Sequence, residues 1–162
     1  MDLHSIAPSH KTNDGSPALE ALCANLRGLG ILFTPVFGFD HEPELWERIA
    51  HIAVREERGL TFRLKIDDLE DGEDTIADLI ERLRYAGIPA GSTQIFIDLE
   101  SVGDLDVVSL VRLRGLTQDF VDTALTASNF GLISVIASSM PKDVGSVPKK
   151  GTKSFYRQEM PI

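Results

Sequence analysis

The sequence contains one cysteine and no apolar run long enough to cross a membrane. The single thiol, Cys23, excludes an intramolecular disulfide and a cysteine-rich metal cage. It shares one helical face with Leu19, Leu22 and Leu26, so we interpret it as a buried apolar side chain rather than a reactive group. A membrane span needs about 20 apolar residues, and no signal-peptide core stands at the N-terminus. We therefore expect a cytoplasmic protein with no membrane partner.

Positive charge is also scarce. The chain has 16 Lys and Arg against 25 Asp and Glu, which gives a formal net charge of -9. A negative charge of this size disfavours nonspecific binding to nucleic acid. The glycine-rich phosphate motifs G-x-x-x-x-G-K-[ST] and G-x-G-x-x-G are missing, and so is the nucleophile elbow G-x-S-x-G. We expect no nucleic-acid partner, and the sequence predicts no cofactor and no metal site.

The sequence does contain a repeated order of helix-like stretch, glycine and apolar run, at Gly30, Gly59, Gly87 and Gly131. Glycine tolerates the left-handed conformation that ends many helices, so this order is typical of an αβ unit. Strands that alternate with single helices pair in parallel. The predicted fold class is therefore α/β, with a parallel sheet of about five strands alternating with helices. About five units are too few for a complete eight-stranded barrel, so we expect either an open sheet or part of a larger (β/α) barrel.

The chain is predicted to form one domain. Residues 1–15 lack periodicity and are interpreted as a loop or flexible N-terminus. Residues 16–162 are interpreted as a single α/β domain with no linker inside it, and a partial barrel is one form that this domain could take. The predicted strands lie at about 31–37, 60–66, 93–99, 132–138 and 154–160.

Three details of the helices are predicted from local signals. Ser16 and Pro17 suit the N-cap and first position of the first helix. An acidic loop over residues 67–74 is expected to precede the third helix. The segment 103–128 is expected to be helical and to break near Gly115.

Polar side chains interrupt the predicted strands with a period of two, although a central parallel strand is normally apolar throughout. If these polar positions point the same way, they line either the mouth of a barrel or a crevice at the carboxyl ends of an open sheet. The candidate site comprises Arg63, Lys65, Asp98, Glu100, Ser138, Arg157 and Glu159.

Three interpretations of this set stay open. Buried charges on neighbouring strands must pair, so a structural ion-pair network is the first interpretation. Ligand binding is the second and catalysis the third, because ion-pair networks imitate active sites.

Two further charged stretches have a structural and a functional interpretation each. Asp40, followed by Glu42 and Glu44, is interpreted as the N-cap of the second helix rather than as a metal ligand or acid/base group. The lysine-rich loop that begins at Lys142 is interpreted as a mobile basic loop rather than a dedicated phosphate cradle.

Three segments resemble successive strand ends of the beta-protein family of phages and bacteria. They are Thr-Gln-Ile-Phe-Ile-Asp-Leu-Glu at 93–100, Ile-Ser-Val-Ile-Ala-Ser-Ser-Met-Pro-Lys-Asp at 133–143 and Tyr-Arg-Gln-Glu at 156–159. Arg-Leu-Lys at 63–65 fits as the preceding strand, whereas Met140 stands where we expect an aromatic residue. The positions that the resemblance carries over are Arg63, Lys65, Asp98, Ser138, Lys142, Arg157 and Glu159.

The resemblance implies a (β/α)-barrel-like fold of roughly twice this length and a role in phage–host conflict. A partial barrel leaves sheet edges unpaired, which favours a protein partner or self-association. We therefore predict a binding or interaction protein that uses the polar strand ends, with a small anionic ligand as a further expected partner.

The alternative is a (β/α)-barrel-type enzyme that acts on a phosphorylated or carboxylated small molecule. In that alternative Arg63, Lys65 and Arg157 hold the anion while a carboxylate performs acid/base chemistry. The predicted catalytic residues are Asp98, Lys65 and Glu159. The predicted ligand-binding residues are Arg63, Glu100, Ser138, Lys142 and Arg157.

Overall fold

A computed structural model of the chain describes residues 9–103 and 105–138, and all structural statements below concern this part. It contains helices alternating with strands, in the order α1 (Ala18–Gly28), β1 (Val36–Gly38), α2 (Pro43–Glu56), β2 (Leu60–Leu64), α3 (Ile66–Glu70), α4 (Gly72–Ala86), a 3-10 turn (Ala90–Ser92), β3 (Thr93–Ser101), α5 (Val107–Ala127) and β4 (Leu132–Ser138).

The four strands form one parallel sheet whose spatial order, β1-β2-β3-β4, follows the chain. The predicted α/β class with a parallel sheet is confirmed, with four strands in the described residues rather than about five. The predicted fifth strand at 154–160 lies outside the described residues. Because parallel crossovers are right-handed, a strand order that never reverses places all crossover helices on one face of the sheet.

The core lies between the helices and this covered face. Phe62 on β2 and Ile95 and Ile97 on β3 are fully buried, whereas the alternate residues Arg63 and Phe96 are only partly buried. Strand side chains alternate between the two faces, so the second face is the more open one. We call it the open face.

Strand β1 is shorter than the predicted strand over 31–37. Val36 pairs with Thr61, and the Pro35 carbonyl accepts a hydrogen bond from Thr61 N–H at 3.0 Å, so residues 31–34 would have to pair with residues before β2. Those positions are the end of α2 at Glu56 and its left-handed cap at Glu57, which offer no strand edge. The paired part of β1 therefore cannot extend back to residue 31 on this side of the sheet.

The predicted acidic loop over 67–74 is wrong, because it forms α3 and the start of α4. Asp68 accepts a hydrogen bond from the Lys65 backbone N–H at 2.7 Å. The carboxylates near the start of α3 also interact favourably with the positive end of the helix dipole. The charges that suggested a solvated loop are therefore charges that begin a helix.

The predicted break near Gly115 is also wrong, since α5 is continuous. It begins where the Asp106 side chain accepts a hydrogen bond from Ser109 N–H at 2.7 Å. At the first helix, α1 begins at Ala18 with Pro17 in the N-cap position, one residue later than predicted. Cys23 is fully buried on α1, as expected, and burial raises the pKa of its thiol. No helix among the described residues is long and apolar enough to span a bilayer.

Candidate functional site

The strand register aligns the polar positions on the open face. Arg63 of β2 lies beside Phe96 of β3, which lies beside Ser134 of β4. Lys65 follows β2 by one residue and continues the same alternation, and Asp98 lies two residues beyond Phe96. The sequence expectation that these faces point the same way is met for these positions.

Asp40 joins the two cations of this face. Its Oδ2 atom lies 2.8 Å from Lys65 Nζ and 3.3 Å from Arg63 Nη2. Asp40 comes from the turn between β1 and α2, so the contact links two neighbouring strand ends. One carboxylate oxygen is thus shared by an ammonium and a guanidinium group.

This arrangement shifts the pKa values of its members. Burial alone would raise the pKa of the Asp40 carboxyl, but the hydrogen bond from Lys65 and the positive charges of Lys65 and Arg63 outweigh it. The Asp40 pKa therefore lies below its usual value. The same hydrogen bond raises the pKa of Lys65, and Glu100 adds a smaller electrostatic contribution in the same direction. Each of these two shifts favours the charged form of its group, the Asp40 carboxylate and the Lys65 ammonium.

Gly38 makes the position of Asp40 sterically accessible. A Cβ atom on Gly38 would overlap Asp40 Oδ1 and would lie 3.1 Å from the Arg63 carbonyl oxygen. The turn is closed by a hydrogen bond from His41 N–H to Gly38 O at 3.0 Å. In the other direction, Gly38 N–H donates to His41 Nδ1 at 3.3 Å, and the buried His41 ring packs edge-on against Phe37. The turn is thus anchored in the aromatic core.

Strand β3 is irregular where it reaches the site. Glu100 has φ 54°, which is rare for a residue other than glycine, and the pairing with β4 shifts register between Asp98 and Ser101. Asp98 Oδ1 accepts a hydrogen bond from the Glu100 backbone N–H at 2.9 Å. Bulges and positive-φ residues are frequent next to functional sites, since they redirect side chains at strand ends.

Asp68 is a further carboxylate close to Lys65. Burial raises the pKa of Asp68, and the hydrogen bond from the Lys65 backbone N–H only partly offsets this effect. The pKa of Asp68 is therefore shifted in the opposite direction to that of Asp40.

The structure brings only part of the predicted set together. Arg63 and Lys65 are joined through Asp40, while Asp98 and Glu100 lie on the adjacent strand. Ser138, the last residue of β4, is exposed, and its carbonyl accepts a hydrogen bond from Val102 N–H at 2.8 Å. Lys142, Arg157 and Glu159 lie outside the described residues. The roles assigned to all eight residues stay predictions.

The N-cap interpretation of Asp40 is wrong. Helix α2 begins at Pro43 and Glu42 holds the N-cap position. The sequence contains one signal that would have pointed to the observed contact: a carboxylate two residues after a strand that ends in glycine. Which cation it meets depends on the register of β1 against β2, and a single sequence does not show that register.

The chemistry available to this cluster is that of charged hydrogen bonding. Two cations, their shared carboxylate and the carboxylates of Asp98 and Glu100 form a surface of mixed charge at the carboxyl ends of parallel strands, which is where ligands bind in such sheets. Among the described residues, no group of three or more His, Cys, Asp or Glu side chains is arranged to hold a metal ion.

Comparisons with known proteins give one match. A family model described as Beta protein matches residues 1–162 of the chain. No curated protein matches the chain, and neither does any solved structure.

Proposed function

The chain belongs to the beta-protein family, and from this premise we propose that it is a binding protein whose partner docks on the open face at the strand carboxyl ends. The observation that carries the proposal is the contact of Asp40 with both Lys65 and Arg63 on that face. We further propose that the partner belongs to phage–host conflict, which is the setting that the sequence resemblance implies.

The mixed charge of the site favours a protein surface as partner. A site for a simple anion would be expected to carry uncompensated positive charge, whereas here Asp40, Asp98 and Glu100 accompany Arg63 and Lys65. Protein surfaces present acidic and basic groups side by side, and complementary charges of both signs give specificity and orientation. The partner is therefore expected to place an acidic group near Arg63 and Lys65 and a hydrogen-bond donor near Asp98.

The enzyme alternative stays a prediction. It needs Glu159 or Asp98 as an acid/base group and Arg157 to hold an anion. Two of these three residues lie outside the described part of the chain, and the hydrogen bond from Glu100 N–H to Asp98 is equally suited to a binding role.

Site-specific photo-cross-linking in bacterial cells tests the binding proposal. A photoreactive phenylalanine analogue replaces Phe96, which lies on the open face beside Arg63. The matched control carries the analogue at Tyr85, which is 82% exposed on α4. We expect a discrete intermolecular adduct at position 96 that disappears in a Lys65→Glu background, and no such adduct at position 85.

Two results would overturn the proposal. The first is no intermolecular adduct at position 96 from a folded protein in either uninfected or phage-infected cells. The second is an adduct whose yield is the same with Lys65→Glu. Repeating the experiment with and without phage infection tests the proposed role in phage–host conflict. If the phage encodes the partner, the adduct should form only in infected cells.

A further inference from the structure

We infer that Asp40 is a built-in competitor for the partner's acidic group. In the structure it occupies the position between Lys65 and Arg63, and a carboxylate or phosphate group of a ligand takes this position when Asp40 moves away on the Gly38 turn. This inference rests on the proposed function, because it describes how the same site changes from closed to ligand-bound.

The first support is the geometry of the contact. Asp40 Oδ2 lies within hydrogen-bonding distance of both Lys65 Nζ and Arg63 Nη2, at 2.8 and 3.3 Å. Proteins hold carboxylate and phosphate oxygens in this way, with an ammonium and a guanidinium group around one oxyanion. Asp40 therefore satisfies the two cations as a ligand oxyanion would.

The second support is solvent access. The side chains of Asp40 and Lys65 keep 25% and 36% of their accessible surface, and that of Arg63 keeps 23%. Ion pairs that water reaches are held weakly, because both partners exchange readily with solvent. An external oxyanion reaches the same atoms by the same route, so exchange does not require the sheet to open.

The third support is the origin of Asp40. Arg63 belongs to β2 and Lys65 directly follows that strand, so the sheet fixes the backbone of both residues. Asp40 instead lies on the short turn between β1 and α2. Its carboxylate fits only because Gly38 lacks a Cβ atom. The anion can thus leave the contact without disturbing strand pairing.

Two substitutions remove the competitor in different ways. Asp40→Asn keeps the size of the side chain and removes its charge. Gly38→Ala keeps the charge, while the new methyl group displaces the carboxylate from Lys65. Gly38 does not have a positive φ, so alanine adds no left-handed backbone strain, and apart from Asp40 its only close contact is 3.1 Å from the new Cβ atom to the Arg63 carbonyl oxygen. Asp78→Asn is the matched control. It changes the net charge by the same amount as Asp40→Asn, but Asp78 pairs with Arg82 on α4 and not with the cations of the open face.

The experiment is a calorimetric titration of the full chain with inorganic phosphate and, separately, with succinate, at constant ionic strength. We expect Asp40→Asn and Gly38→Ala to bind at least one of the two anions about threefold to fivefold more tightly than the wild type, which corresponds to the loss of one solvent-exposed competing ion pair. Asp78→Asn should bind as the wild type does, and Lys65→Met in the Asp40→Asn background should lose the gain. A gain for phosphate alone or succinate alone identifies the class of acidic group.

Unchanged or weaker anion binding by Asp40→Asn and Gly38→Ala would overturn the inference, and so would a complete lack of binding by both. If one of the two variants does not fold, the other decides. These failures are distinct from failure of the proposed function. If the two variants gain no anion affinity while the adduct at position 96 still depends on Lys65, the proposed function stands and the partner binds without displacing Asp40.

Discussion

Asp68 and Asp40 show how one residue type acquires opposite electrostatic behaviour within one site. Positive neighbours lower the pKa of Asp40, whereas burial raises that of Asp68. The stabilisation from Asp40 is therefore present above the unfolded-state pKa of about 3.9 and is lost as the pH falls through its lower folded-state pKa. For Asp68 the sign is reversed: the folded state loses stability as the pH rises from about 3.9 through its higher folded-state pKa.

Asp68→Asn tests this sign. Asparagine retains an oxygen for the Lys65 backbone N–H, which Asp68 accepts at 2.7 Å, and it has no charge to desolvate. We expect the free energy of unfolding of the variant, relative to the wild type, to increase between about pH 3 and pH 7. Urea unfolding at the two pH values measures it, and Asp67→Asn on the exposed side of the same turn serves as control. A relative stability that falls with rising pH would contradict the burial argument.

The connections between elements depend on glycine for two different reasons. Gly59, between α2 and β2, has φ +75°, and a Cβ atom there would overlap the Ser92 carbonyl oxygen. Gly131 before β4 does not have a positive φ, but a Cβ atom would lie 2.5 Å from the Gly91 carbonyl oxygen. In both cases the glycine lets the amino end of a strand approach the neighbouring connection closely.

Gly59→Ala and Gly115→Ala should therefore change stability in opposite directions. At Gly59 the left-handed backbone and the overlap together should destabilise the protein by more than about 2 kcal/mol. At Gly115, in the middle of α5 with no atom within 4 Å of the added Cβ, alanine should stabilise by about 0.5–1 kcal/mol through helix propensity. Urea or thermal unfolding of the two variants measures both effects. A destabilised Gly115→Ala would show that α5 bends at this point in solution, as the sequence suggested.

The elements that local signals define were predictable, and those that tertiary neighbours define were not. Helix, glycine and apolar run predicted β2, β3 and β4 because each strand begins at the end of its own helix. The length of β1 was not predictable, since it depends on where α2 ends and the neighbouring strand β2 begins. Helix α3 was not predictable either. Its run of acidic residues is typical of a solvated loop, and only the folded chain shows that one of them, Asp68, accepts a hydrogen bond from the Lys65 backbone N–H at the start of the helix.

The candidate site follows the same rule. The period of two predicted that Arg63 and Lys65 share a face, and the register confirms that this face also carries Phe96 and Ser134. The partner of the two cations was not predictable. Asp40 reaches them through a turn whose path depends on Gly38 and on the burial of His41, which are properties of the folded chain.

At the scale of the whole sheet, the two faces and the two edges differ in how well they are covered. Central strands β2 and β3 pair on both sides, whereas in the described residues β4 pairs with β3 alone. Leu132, Val135 and Ile136 of β4 are 47%, 42% and 45% exposed, although their apolar character is typical of a buried parallel strand. An edge of this kind is a surface on which another strand can pair.

Hydrogen exchange measures whether this edge is covered in solution. On an uncovered edge strand, alternate amides have no strand partner, and the whole strand opens more readily than the centre of the sheet. We predict that amides of β4 in the purified chain at low micromolar concentration exchange at least about tenfold faster than those of β3. Peptide-level mass spectrometry resolves the two segments, with β2 as the internal reference for a central strand. Equal protection of β3 and β4 would contradict the prediction and show that the edge is paired. A dilution series would then separate the sources of the covering strand, because protection supplied by a second copy of the chain falls on dilution whereas protection supplied by the chain itself does not.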